Sequence, residues 1–211
     1  MQKKSLLLAS FIIVAFTFMG CPNKKDDVIE PTIIQPKTYT INFEMAYKTT
    51  VNANPKCFID FDNGKVYDVQ TAPAHAADID AVWVYENGNS DAMYLFSMNQ
   101  NMFSTATDGF NAGELGLGNW AVRSNCILEY KGSLAKGDIT GAKSVDDLKA
   151  LIKSALDFSS LNFQTFDGTS STFAKVYVFE TNRQKRGAFI VNSNSADSNG
   201  GRANITIRVE P

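Results

Sequence analysis

Asn63-Gly64 is the feature that most narrows what this chain can become. It separates two runs of strand character, Lys56–Asp62 and Lys65–Val69. An Asn-Gly pair so placed is the strongest short-range hairpin signal, because both residues tolerate the positive φ that a tight turn demands. Other strands follow from the same period-2 alternation. Thr38–Met45 alternates polar with apolar, and Ala81–Tyr85 and Met93–Ser97 flank a loop containing Asn87, Gly88 and Asn89. Trp120–Tyr130 resumes the pattern, and Phe173–Glu180, Gly187–Val191 and Ala203–Val209 read as an antiparallel set with a turn at Asn199-Gly200-Gly201. Residues 104–119 carry Gly109, Gly113, Gly116 and Gly118 without any period, and read as a long loop of the kind that is often functional.

One helix stands against these strands. Ser144 with Asp147 three residues on forms a capping-box pattern, and Leu148, Leu151, Ile152 and Ala155 then share one face. Lys149, Lys153 and Ser154 lie opposite, so the apolar stripe should rest on the sheet. Closely spaced strands with a single helix argue for a mainly β or α+β domain of sandwich type, built on an antiparallel sheet. No internal repeat is visible.

The N-terminus carries an address. Lys3 and Lys4 precede an apolar run from Leu6 to Phe18, then Gly20 and Cys21. The run is too short for a span, which needs roughly 20 apolar residues, and fits the roughly 7–15 of a cleaved secretory signal. The Gly20-Cys21 junction resembles a lipobox, where a signal peptidase cuts before a cysteine that is then acylated, although Phe18 and Met19 depart from its usual leucine and small residue. The expected division is a signal over 1–20, a lipidated tether over 21–36 rich in proline and charge, and a single β-rich domain over 37–211. Several acyl chains on Cys21, each buried methylene contributing roughly 0.8 kcal/mol, would make lipid the only membrane contact.

Processing would remove Lys3 and Lys4 from the 20 basic residues, leaving 18 against 22 acidic ones and a net charge of −4. No nucleic-acid partner is expected for such a chain, since a basic stripe is its footprint. The one local cluster, Arg183, Lys185 and Arg186, suits the tip of a hairpin. After acylation of Cys21 the remaining cysteines are Cys57 and Cys126. An exported chain permits a disulfide between them, worth roughly 4 kcal/mol in the chain-entropy model. Both sit in apolar stretches, however, where a buried thiol serves as a small core residue, and no cysteine–histidine cluster suggests zinc.

Catalysis has little to work with. His75 is the only histidine, in a loop-like stretch without a motif, and no nucleophile elbow, P-loop or dinucleotide fingerprint occurs. A non-enzymatic chain is therefore expected. Asp60-Phe61-Asp62-Asn63-Gly64 begins like a calcium loop, but the glycine comes one residue early and no closing glutamate follows, so a turn with Asp60 and Asp62 pointing outward is the expectation. Asp78-Ile79-Asp80 reads as a polar entry to the next strand. His75, Met93, Met98 and Met102 form the one set that could ligate a cofactor, haem, against the commoner use of methionine as core filler. Tyr85, Tyr94, Phe103, Phe110 and Trp120 flank the loops around 86–92 and 99–119 and could stack on a flat ligand or a sugar.

Three resemblances refine the expectation. Pro22-Asn23-Lys24-Lys25-Asp26-Asp27 resembles the signal that sends Bacteroidetes lipoproteins to the outer leaflet of the outer membrane. Phe58–Tyr67 and Val176–Val191 are similar in strand-and-turn texture to surface lipoproteins of that group, over about a quarter of the chain. The strand–glycine–strand ending also resembles HmuY-type haemophores, which implies haem uptake, but a single histidine excludes their bis-histidine ligation and would require methionine. The expected function is a surface-exposed, lipid-anchored protein with a non-enzymatic ligand-binding domain for a nutrient or host-derived ligand. A haem-binding accessory of iron uptake and a structural or adhesive component are the alternatives. Its partners would be a small molecule, a glycan or an outer-membrane protein.

Overall fold

A computed structural model describes residues 32–44, 46–47, 54–86, 92–98, 117, 120–153, 163–167, 176–197 and 200–211. The signal, Cys21 and most of the tether lie outside these residues. The chain from Ile33 to Pro211 forms a compact unit. It opens four residues before the first strand pattern: Ile34 accepts a hydrogen bond at 2.8 Å from the Val145 backbone, and Pro36 is buried.

Eleven strands are described: β1 Lys37–Glu44, β2 Ala46–Tyr47, β3 Lys56–Asp60, β4 Lys65–Asp68, β5 Ala81–Glu86, β6 Ala92–Ser97, β7 Ile127–Tyr130, β8 Phe163–Asp167, β9 Val176–Glu180, β10 Arg186–Asp197 and β11 Gly200–Val209. Two α-helices, α1 Lys136–Gly141 and α2 Val145–Lys153, join them. One sheet runs β1-β11-β10-β9-β7, with every pair antiparallel. The other runs β4-β3-β5-β6-β8, and β2 lies parallel to β5 where β3 has ended. The mainly β, α+β expectation with antiparallel sheets holds.

Alternation along the strands sorts the core into layers. Ile59, Trp83 and Leu95 of one sheet meet Ile41, Tyr177, Phe179, Phe189 and Ile205 of the other in a shared central core. Ring contacts tie it across the sheets: Phe61 stacks on Phe179 with centroids 4.3 Å apart, and Phe43 lies 4.5 Å from Trp83. On the far face of the first sheet, Val176, Val178, Ala188 and Ile190 are covered by Ile139, Leu148 and Ile152 of the helices. On the far face of the second, Phe58, Val82, Phe96 and Met98 are covered by Ala72, Ile79, Leu117 and Trp120.

The α2 capping box forms as the sequence implies. The Ser144 hydroxyl accepts from the Asp147 backbone at 3.1 Å, and the Asp147 carboxylate accepts from Ser144 at 3.0 Å. These bonds hold Asp147 below the ordinary carboxylate pKa. Val145, Leu148 and Ile152 carry the buried face, while Ala155 lies outside the described residues.

Several boundaries differ from the sequence reading. The β3–β4 link is a four-residue loop, Phe61–Gly64, closed by the pair Asp60↔Lys65. Only Gly64 in it adopts positive φ, +61°, so the turn is not the two-residue type. The reason is Phe61, which leaves the ladder to fill the central core. A Cβ at Gly64 would overlap the Tyr39 ring, so this position also requires glycine for close approach. Trp120–Tyr130 is strand only from Ile127, and β10 continues six residues past Val191.

Candidate functional site

The first constellation gathers at one end of the domain, where the β9–β10 loop folds over the start of β5 and the β3–β4 turn. Arg183 lies in that loop, which is tightened by a bond from the Gln184 backbone to Thr181 at 2.9 Å and by positive φ at Gln184. Its Nη2 bonds Asp80 at 2.9 Å and Asp60 at 3.2 Å, and its Nε bonds Asp62. Nη1 donates to the Asp78 carbonyl at 2.9 Å. The hairpin-tip placement of the basic cluster is thus right, while Arg186 pairs with Glu180 across the hairpin at 2.6 Å.

Here the reading of Asp60 and Asp62 as outward residues is corrected: they are 1% and 3% exposed, and Asp80 is fully buried. A buried carboxylate persists only when paired or hydrogen-bonded, and Arg183 supplies the charge. One guanidinium cannot neutralise three buried carboxylates. Desolvation therefore raises the pKa of Asp80, the most deeply buried of them, to about 8, against the lowering pull of Arg183 and of the Phe61 N–H that Asp80 accepts at 2.8 Å. Burial pulls the Arg183 pKa down, but Asp80, Asp62 and Asp60 outweigh it and the net shift is upward. The calcium-loop pattern is occupied by an internal cation, and among the described residues no group of three acidic, histidine or cysteine side chains is placed to hold a metal ion. This cluster joins the two sheets.

The haem candidates are distributed differently. His75 is exposed at the end of a short 3-10 turn, Ala72–His75, and stacks on Tyr67 with centroids 4.3 Å apart. Met98 is wholly enclosed among Phe58, Val82 and Phe96. The two do not present a pair of ligands to one solvent-accessible pocket. Met93 lies on β6 opposite Tyr85; its side chain, like those of Tyr85 and Tyr94, and all of Met102, Phe103 and Phe110 fall outside the described residues. Trp120 packs on Phe58 at 5.0 Å and borders a shallow apolar hollow of about 340 Å³ with Pro73, Ala77 and Val122. Cys57 and Cys126 are separate buried thiols in different core layers, with no disulfide between them. Desolvation, then the charge of Asp80, pushes the Cys126 thiol well above its ordinary pKa, which makes it inert.

A second hollow lies elsewhere, and no motif announced it. The helices cover only part of the outer face of the first sheet. At the covered end Arg208 is buried and donates to the Ile139 and Thr140 carbonyls of α1 at 2.6 and 3.0 Å. Further along β11, Thr206, Asn204 and Arg202 stand uncovered beside Thr40 and Asn42 of β1. A bulge between Val191 and Ser193 leaves Asn192 as the extra residue of β10. Its amide N–H₂ donates to Asn204 at 2.7 Å and to Thr206 at 2.9 Å, and Asn204 donates in turn to Asn42 at 2.7 Å. Beyond this relay, at the Glu44–Arg202 end of the ladder, opens a groove of about 600 Å³, lined by Asn42, Phe43, Arg202, Ala203 and Asn204 of the first sheet and by Lys56 of β3 in the second; Glu44 and Ser195 also border it.

Compared with protein-family models, curated proteins and solved structures, the chain matches none. Among the described residues no helix is long and apolar enough to cross a membrane. Fold and site together define a two-sheet, mostly antiparallel β domain with an open groove at the Glu44–Arg202 end of the first sheet.

Proposed function

We propose that this is a lipid-anchored protein of the outer membrane, exposed at the cell surface, whose β domain binds a nutrient or host-derived ligand without catalysing its conversion. Anchoring rests on the Lys3–Phe18 signal pattern and the Gly20-Cys21 junction, and surface exposure on Lys25-Asp26-Asp27. The observation that carries ligand binding is the groove at Asn42, Arg202 and Asn204. Its volume of about 600 Å³ falls in the range of ligand sites, and its polar groups stand on strands, which hold them more rigidly than loops would.

The test has two parts. Metabolic labelling with a palmitate analogue should mark the wild-type chain and not Cys21→Ser, and intact cells should expose it to added protease. The purified chain, titrated with glycans, peptides and porphyrins, should bind at least one class saturably. Silence across all three refutes the binding role and leaves adhesion. A Soret band at one haem per chain would instead favour the haem accessory role.

A further inference from the structure

We propose that the groove at the Glu44–Arg202 end of β1, β11 and β10, which Lys56 of β3 also lines, is a binding site for an acidic glycan, one bearing carboxylate or sulfate groups on a hydroxyl-rich chain. This rests on the ligand-binding reading above and assigns its place and chemistry.

Three independent observations converge there. Asparagine is depleted from strands, because its short amide competes with the backbone for hydrogen bonds and packs poorly on a pleated surface. Yet Asn42, Asn204 and Asn192 lie side by side on three neighbouring strands, two of them interior to the sheet. A local rule broken without a packing gain is what a functional site produces. The second observation is the bulge at Asn192, a device that re-aims a side chain. Here it turns the amide onto Asn204 and Thr206. The third is the groove that opens where the relay ends.

The chemistry follows from the donor balance. The relay runs one way, Asn192 to Asn204 to Asn42, so Asn42 accepts from Asn204 with its carbonyl and keeps its N–H₂ group for the groove. Each amide is oriented by its neighbour before any ligand arrives, which lowers the ordering cost of binding. Hydroxyls, both donor and acceptor, match such an array. Arg202 and Lys56, both exposed, add two cations to a wall whose one carboxylate is Glu44. That excess suits an anionic group, with Arg202 able to bind it bidentately. The groove is open and bordered by β1, β11 and β10 together with Lys56 of β3, which suits an oligosaccharide better than a small enclosed ligand.

The experiment titrates the full-length chain in detergent with acidic oligosaccharides (a uronic acid polymer fragment and a sulfated one) and with neutral oligosaccharides of equal length, by calorimetry. Arg202→Glu and Asn42→Ala are compared with Val122→Ser, which alters the distant apolar hollow. Saturable binding of an acidic oligosaccharide, weakened tenfold or more by both groove substitutions, unchanged by Val122→Ser and lowered by salt, is the expected result. Both substituted side chains are exposed, and circular dichroism checks that each variant stays folded. Equal affinity for neutral oligosaccharides overturns the ligand class. Binding of an acidic oligosaccharide that survives the groove variants overturns the site while leaving the ligand-binding role intact. Silence toward all oligosaccharides, with peptides or porphyrins bound, likewise overturns this assignment alone.

Discussion

Replacing Arg183 with alanine should be among the most damaging single changes outside the central core, and its cost should depend on pH. The substitution removes the one guanidinium that touches Asp60, Asp62 and Asp80, each no more than 3% exposed. Breaking a buried ion pair from one side costs about 3–5 kcal/mol, because the charge left behind remains in a poorly solvated place. Arg183 itself is 28% exposed, so water can partly replace it, which argues for the lower end, about 3 kcal/mol. For a domain of this size that is a fall in Tm of roughly 6–12 °C. At pH 5 Asp80, whose pKa burial raises to about 8, already holds a proton, so the variant strands one buried charge fewer and the deficit should be smaller than at pH 8. Urea melts followed by circular dichroism at both pH values, on wild type and variant, measure this directly. A loss under about 1 kcal/mol at both would place Arg183 with ordinary surface ion pairs and refute the compensation argument.

Four further outcomes follow. Asp80 has a folded pKa of about 8, above its unfolded value, so the folded state binds the extra proton and stability falls as pH rises from about 4 to about 8; Asp80→Asn should flatten that slope relative to wild type, as a pH series of melts would show. Phe189→Ala removes a fully buried ring stacked on Tyr177 at 4.9 Å, and should cost about 3–5 kcal/mol in the same melts. Ser144→Ala removes the α2 cap and should cost about 1 kcal/mol, with little change in urea m-value. Gly64→Ala should destabilise by more than the usual helix or strand glycine replacement, since it needs both positive φ and the space of the Tyr39 ring; suppression by Tyr39→Ala in a double-mutant cycle would establish the steric share.

What the sequence made legible was whatever is encoded locally. The α2 cap, the antiparallel run of the last strands and the β3–β4 hairpin each depend on residues a few positions apart. The acidic cluster was not legible, because Arg183 meets Asp62 across 121 residues and Asp80 across 103; alternation implied outward carboxylates at Asp60 and Asp62 and could not reveal a hairpin folding over them. The end of β10 was hidden for another reason. Asn192-Ser193-Asn194-Ser195 has the composition of a loop, and it extends only because β11 pairs with it along its length. Only the β10 side of the groove, Ser193 to Ser195, was therefore hidden as loop, while Asn42, Lys56 and Asn204 lay in expected strands with nothing local to say that the fold would bring them together. Strand β8 and helix α1 were missed similarly: Phe163–Asp167 is brief, and Lys136–Gly141 contains two glycines.

The pairing of β1 with β11 has a mechanical consequence. The chain enters the domain at the Lys37↔Val209 end of this ladder, and the groove opens at the Glu44↔Arg202 end, seven residues or about 24 Å away. If the N-terminus is held in a membrane and the groove grips an object outside, tension passes lengthwise along β1. It then loads the eight paired positions together, in shear, instead of peeling them one after another. A domain built this way would behave as a stiff link in the pulling direction that its anchoring imposes.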